Sequence, residues 1–347
     1  MSWRMPAETA PHDRIWMAFP RKGVSLGESP ADEEAGYAAW AEVANTVARF
    51  EPVTMVVDPT EAGRARRMLA SEIVIEQAPL DDFWMRDFGP TFVFDEAGTL
   101  GAVDWVFNAW GAPDWATWDH DREIARFVAD TVNATVIWTT LVNEGGAIHV
   151  DGEGTVLVTE TVQLDPGRNP GASKQWVEDE LARTIGASQV IWLPRGLTRD
   201  YEKFGTRGHV DMVAAIPEPG VLLLHRQDDP AHPDFEVSRQ LREFLETTRD
   251  SAGREWRIID LPAPETLSDD RGFVDWNYVN HLVVNGGVIA CGYGEERADA
   301  AARDILAEAC PGRHVVTVDA REILARGGGI HCITQQQPSR PVTPLAD

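Results

Sequence analysis

At 347 residues and 43% hydrophobic side chains, the chain can bury a large core, enough for two domains or one large α/β domain. Its 56 acidic against 31 basic residues leave a net charge of -25, which argues against nucleic acid or an anionic membrane as partner. The same charge either mildly favours the approach of cationic small molecules or only keeps the protein soluble.

The three cysteines, Cys291, Cys310 and Cys332, supply no disulfide framework and no Cys-x-x-Cys metal pattern. No apolar run approaches the length of a membrane span. The first residues, Met1 to Pro6, lack the apolar core of a signal peptide. A reducing cytoplasm, where a free thiol stays reactive, is expected.

Along the chain a pattern of hairpin, amphipathic helix and apolar strand recurs five times. Trp40, Val43, Ala44, Val47 and Phe50 share one helical face. Val53 to Val57 follows as a strand, and Thr91 to Phe94 opens a hairpin turning at 95–98. A helix over 119–132 leads into strand 136–138, and 147–150 turns at Asp151-Gly152-Glu153-Gly154 into 155–158. A helix over 173–186 leads into strand 190–193, and 212–216 turns at Pro217-Glu218-Pro219-Gly220 into 221–224. A helix over 234–248 leads into strand 258–261, and 278–284 turns at Asn285-Gly286-Gly287 into 288–290. A helix over 296–309 and strand 315–318 complete the series. Asp-Gly, Pro-Gly and Asn-Gly between β-rich runs are hairpin signals. With no long linker or low-complexity segment, residues 1–347 read as one domain of repeats, with 339–347 as a flexible tail. Five such units around an axis would gather their hairpin ends in one central cleft.

Chemistry-bearing residues sit at those ends. Cys332 follows Gly327-Gly328-Gly329 and precedes the polar run Thr334-Gln335-Gln336-Gln337, a poor continuation for a core strand. It reads as a nucleophile presented at a cleft wall, whereas Cys291 in a strand and Cys310 in a helix read as small buried hydrophobes. In His209-Val210-Asp211, strand alternation would point both side chains into one space. That suits a proton-transfer group beside an anion that grips a cation. His-x-Asp is also half a metal site, but no other His/Asp/Glu cluster of ligand spacing completes one. Asp87 and Glu144, each near glycine before a hairpin, are either turn formers and caps or members of the same site. Converging carboxylates call for a cation, and a guanidinium fits them bidentately while exposing its central carbon to the thiol. The same carboxylates would raise the Cys332 pKa until a bound cation reverses the effect.

The motifs Trp84-Met85-Arg86-Asp87-x-Gly89-Pro90-Thr91-Phe92, Phe107-Asn108-Ala109-Trp110-Gly111 and Glu144-Gly145-Gly146-x-Ile148-His149-Val150-Asp151-Gly152 stand in this chain. With them stand Gly208-His209-Val210-Asp211 and Gly328-Gly329-Ile330-His331-Cys332-Ile333-Thr334-Gln335-Gln336-Gln337-Pro338. Together these resemble the signatures of the agmatine and bacterial peptidylarginine deiminase family, from about Trp16 to Pro338. The resemblance implies a pentein fold, a five-bladed α/β propeller with pseudo-fivefold symmetry. It also implies cofactor-free, metal-free hydrolysis of agmatine to N-carbamoylputrescine and ammonia, and a homodimer. By motif position, Cys332 would be the nucleophile and His209 the general acid and base. Glu144 would assist proton handling and bind a guanidinium nitrogen, and Asp87 and Asp211 would clamp the guanidinium. Trp84 and Trp110 are either packing for the aliphatic stem of the substrate or ordinary core tryptophans.

The chain departs from the family where Arg207 precedes Gly208, where Met212 follows Asp211, and at Ala290-Cys291-Gly292-Tyr293-Gly294. These changes bear on the far end of the substrate. Arg207 is expected either to pair with Asp200 or Glu202 or to favour a substrate bearing a carboxylate. Deimination of another guanidine (peptidyl-terminal or free arginine, or a guanidino acid) and a non-catalytic guanidine-binding propeller are the competing functions. A papain-type peptidase leaves the carboxylates unexplained.

Overall fold

The computed structural model describes residues 2–27 and 29–340, so the expected tail beyond Arg340 lies outside the described residues. It is an α/β fold with five sheets of three or four strands and a two-stranded ribbon, Ser268–Asp269 with Gly272–Phe273. Each larger sheet repeats one plan, an antiparallel pair extended by a parallel strand that arrives through a helix.

Thr91–Asp95 pairs with Leu100–Val106, which pairs in parallel with Thr135–Val142. His149–Val150, Thr155–Thr159 and Gln189–Leu193 repeat the plan, as do Ala214–Glu218, Val221–Arg226 and Arg257–Pro262. Leu282–Val284, Gly287–Gly292 and His314–Asp319 do so again. In the fifth sheet, His12–Ala18 takes its antiparallel partner from the far end of the chain, Thr334–Pro338, with Gln335 opposite Trp16. Trp16 Nε1 donates to Gln337 Oε1 at 3.0 Å across that seam. Ser339 continues it, since Ser339 N donates to Pro11 O and Ser339 Oγ to Asp13.

The helices form where the periodicity places them, with ends set by local chemistry. Ser29 caps Pro30–Val47 in a reciprocal box with Asp32, and proline opens its first turn. Lys174–Ile185 starts at the Ser173 cap and ends at Gly186, whose φ of 76° suits a left-handed cap. Ile124–Thr131 is shorter than expected because 121–123 forms a separate tight turn, and Asp234–Leu245 ends three residues early. Glu296–Ala309 spans the expected residues, leaving Cys310 just beyond its end. Trp16, Trp40, Tyr37, Phe19 and Phe83 are among the largest fully buried side chains of the core. No helix among the described residues is long and apolar enough to cross a membrane.

The hairpins depart from expectation at their starts. The strands expected from 147, 212 and 278 begin at His149, Ala214 and Leu282. Tight turns take up the residues before them: Gly145–Ala147, Val210–Met212, and a turn in which Asn277 Oδ1 accepts from Asn280 N. His209 and Asp211 therefore do not share a strand face, as alternation had suggested. They flank and enter a turn.

Burial on the core face of Glu296–Ala309 falls on Ala302, Leu306 and Ala309. Leu306→Ala is expected to lower the unfolding free energy by about 2–5 kcal/mol. Exposed Arg303→Ala should stay within about 0.5 kcal/mol, with both read by urea denaturation.

Candidate active site

The turns that displaced the strand starts are where the site is built. Asp87 lies in the single helical turn Met85–Phe88, Glu144 directly before Gly145–Ala147, and His209 directly before Val210–Met212. Cys332 lies two residues before the closing strand. All five expected residues are buried: Asp87, Glu144, His209, Asp211 and Cys332.

Their meeting point is Gly146. A Cβ built there would stand 2.6 Å from His209 Nδ1, 2.9 Å from Asp211 Oδ2 and 2.9 Å from Asp87 Oδ1. Only glycine leaves room for three polar groups to crowd one Cα. Asp87 Oδ1 accepts from Gly146 N at 3.2 Å and lies 3.8 Å from His209 Nδ1. Asp211 Oδ2 lies 3.5 Å from the Cys332 sulfur. Among the described residues, His209 Nδ1 and Asp211 Oδ1 are buried without a hydrogen-bond partner, an arrangement that an incoming ligand can satisfy.

Neighbours hold these groups in place. Trp110 Nε1 donates to Asp87 Oδ2 at 2.8 Å. Glu144 Oε2 lies 3.2 Å from His209 Nε2, and both Glu144 oxygens accept from Arg168 Nε, at 2.9 and 3.1 Å. Glu144 is thus tied to the imidazole and to Arg168, and an extra bond to a guanidinium nitrogen would compete with both. Asp200 accepts from Thr206 N, Thr206 Oγ1, Gly208 N and His209 N, pinning the loop that carries the imidazole. Arg207 pairs with Asp165 at 3.3 Å, with neither Asp200 nor Glu202, and its side chain is half exposed. Met212 is buried, its sulfur 3.4 Å from Asn280 Nδ2.

The triple glycine works mainly by close approach. Gly327 has a φ of 110°, whereas a Cβ at Gly328 would meet Trp84 at 2.7 Å and the Cys332 sulfur at 3.0 Å. Trp84 and Trp110 line a small cavity with Asp87, Trp115, Phe204 and Cys332. Trp84 also packs edge-on to Trp40, and Trp110 stacks on Trp115. Both tryptophans are core and wall at once. Arg326, in the same wall, is bonded to Leu26 O, Asp32 O and Glu322.

Charge in this space is set by burial and proximity. Burial, then Asp211 and Asp87, push the Cys332 thiol well above its usual range. Burial works against charge on His209, but Asp87 and Glu144 outweigh it and raise its pKa to about 9. Burial lifts Asp87 to about 6, helped by Asp211 and Glu144 and opposed by His209. Glu144 and Asp211 are lowered despite their burial, Glu144 mainly by Arg168 and Asp211 mainly by His331. The resting site therefore holds a thiol and an imidazolium.

Several members escaped the sequence reading. Asn280 donates from Nδ2 to the Cys332 sulfur at 3.2 Å, and its Oδ1 accepts from His331 N at 3.0 Å. The faint signal was a polar side chain inside a run assigned to a strand. Arg168 and Glu8 gave none. His331 and Arg86 stood inside quoted motifs without being weighed. Spacing along the sequence also gives no sign of one donor cluster that folding assembles. Glu8, His149 and His331, distant in sequence, bring one ligand-type atom each within 4.8 Å of one another.

Known proteins resemble this chain over nearly its whole length. A Streptomyces coelicolor protein, provisionally named an agmatine deiminase, is 54% identical over 97% of this chain and 99% of its own length. The agmatine deiminase of Pseudomonas putida is 40% identical over 97% of this chain and 96% of its own. The solved structure of the Enterococcus faecalis agmatine deiminase is 32% identical, with a TM-score of 0.90 over 98% of this chain and 97% of that one. The Porphyromonas-type peptidyl-arginine deiminase family matches residues 4–338, nearly the full sequence, and the chain belongs to that family.

Proposed function

We propose that this protein is an agmatine deiminase, hydrolysing agmatine to N-carbamoylputrescine and ammonia through a covalent thiouronium on Cys332. The reading rests on one observation: Asp87, His209 and Asp211 converge at Gly146, with the Cys332 sulfur 3.5 Å from Asp211. The relatives named agmatine deiminase support the substrate. So does the wall, where aromatic rings suit an aliphatic stem and the Arg326 guanidinium is already bonded. We also infer that residues 1–347 form one domain, its five sheets set around a pseudo-fivefold axis as propeller blades.

Asp87 and Asp211 hold the guanidinium nitrogens. The bound cation offsets their field at the thiol, so with substrate in place the thiol gives its proton to solvent and the thiolate forms. Sulfur attacks the central carbon and a π electron pair moves to nitrogen, giving a tetrahedral adduct. His209, protonated at rest, gives its proton to the leaving nitrogen. The C–N bond breaks, ammonia departs and an S-alkylthiouronium remains. His209 then takes a proton from water and the oxygen adds to the carbon; as the C–S bond breaks, the hydroxyl proton passes to the departing sulfur, which releases the neutral urea and restores the resting thiol. Glu144 keeps the imidazole oriented and favours its charged form throughout.

Ammonia release should be fastest from agmatine, with arginine and 4-guanidinobutyrate at least about tenfold lower in kcat/KM, because each carries a carboxylate into an aromatic wall. Fastest release from 4-guanidinobutyrate would instead show a different substrate. Cys332→Ser should lower kcat by about a thousandfold or more while agmatine still binds by calorimetry.

The pKa directions set a bell-shaped profile for kcat/KM. It should fall below about pH 6 as Asp87 gains a proton and above about pH 9 as His209 loses one. At neutral pH an alkylating agent bearing an amidinium should label Cys332 far faster than neutral iodoacetamide. Equal rates would contradict thiolate formation assisted by the cation.

A further inference from the structure

Asp211 is held from a direction that the reaction itself does not explain. Its Oδ2 lies 2.8 Å from His331 Nδ1, and the other ring nitrogen, His331 Nε2, lies 3.0 Å from both Glu8 oxygens. An imidazole with a carboxylate at each nitrogen is best satisfied when both nitrogens carry protons. Arg86 Nη1 stands 3.4 Å from Glu8 Oε1, while Arg86 Nε donates to the His331 carbonyl and Arg86 N to the Cys332 carbonyl. Glu8 is itself buried, in a segment anchored where His12 Nε2 meets the Glu8 carbonyl at 3.0 Å. One carboxylate from the start of the chain thus touches the neighbour of Cys332 and the neighbour of Asp87.

We propose that Glu8 and His331 form a positioning relay for Asp211, an imidazolium clamped between two carboxylates that keeps Asp211 ionised and its Oδ1 open to the substrate. The proposal rests on the deiminase reading, since Asp211 matters as a guanidinium clamp. Charged and titratable groups face His331 from several elements: Glu8, Arg86, His149, Asp211, His281 and Cys332. Burial and Arg86 act against charge on the ring, yet Glu8 and Asp211 outweigh them and raise its pKa. His149 and His281 are pushed the other way by burial, so of the three rings His331 is the one whose charged form is favoured. Glu8, His149 and His331 are also metal-binding residue types, but Arg86 already places a fixed cation on the same carboxylate. The geometry favours the relay.

Because Asp211 would contact the guanidinium in both ground and transition states, weakening its support should act mostly on KM. In full-length Glu8→Gln, KM for agmatine is expected to rise about tenfold or more while kcat stays within about threefold. A merely structural role for Glu8 would not move the protonation of His331. Histidine ¹⁵N spectra read that state directly, with the His331 signals identified by their loss in His331→Gln. In a pH titration the wild-type ring should lose its second proton above the ordinary histidine range, and the ring in Glu8→Gln at a lower pH than the wild type. A neutral His331 in the wild type overturns the relay, as does a folded Glu8→Gln with unchanged KM. Stoichiometric zinc, whose removal by chelator abolishes turnover, overturns it in favour of a metal site. The wild-type spectrum needs neither turnover nor a folded variant. If the enzyme leaves agmatine untouched, the substrate assignment falls while the ring state still decides the relay.

Discussion

The structure turns on how closely charged groups can be brought together without water between them, and Gly146 sets that limit. Its missing side chain lets an imidazole and two carboxylates crowd one Cα. Crowding has opposite effects on the two kinds of group. It raises Asp87, whose charge is opposed by burial and by the other carboxylates, and raises His209, whose charge the carboxylates favour. A base that stays protonated and an acid that titrates near neutrality thus arise from the same packing. Any larger residue at 146 would separate the groups and return each toward its solution behaviour.

Such a cluster persists only because its supports are stronger than its repulsions. Asp200 accepts four hydrogen bonds around His209, and Arg168 bridges Glu144, Asp165 and the Thr206 carbonyl. Trp110 fixes one oxygen of Asp87, and Asn280 ties the Cys332 sulfur to the Asp211 carbonyl. These supports come from different repeat units. The site is therefore a joint product of the sheets and their ordering, and the seam between Thr334–Pro338 and His12–Ala18 holds Cys332 against the rest.

The regular parts of this fold were legible because they are periodic. Five helices and their following strands fell near the expected places, since burial on one face writes itself into residue spacing. The turns before the hairpins were not legible in the same way. Val210 and Met212 look like strand residues, but Asp200 and Thr206 bond the His209 backbone and bend the chain into a turn. Tyr278 to His281 looks equally strand-like, yet the Asn277 side chain caps the turn. Glu8 and Arg168 act through partners brought near only by folding; Glu8 meets His331 across 323 residues of chain. No local pattern encodes such a contact. The five residues assigned chemistry stand out by their neighbours as much as by their types: Cys332 differs from Cys291 and Cys310 in the glycines before it and the polar run after it.

Charge balance links the supports to the reaction. Around the site carboxylates and cations alternate: Glu8, Asp87, Glu144 and Asp211 meet Arg86, Arg168, His209 and His331, with Asp165 and Asp200 directly behind Arg168 and His209. A neutral thiol adds no further charge to this set. A guanidinium entering that space brings one positive charge into a dry interior, where an uncompensated ion is costly. In the proposed mechanism, loss of the Cys332 proton would supply the matching negative charge at the atom facing the guanidinium carbon. On that reading, binding and nucleophile formation would be two halves of one electrostatic event, and a neutral analogue of the same shape would gain neither.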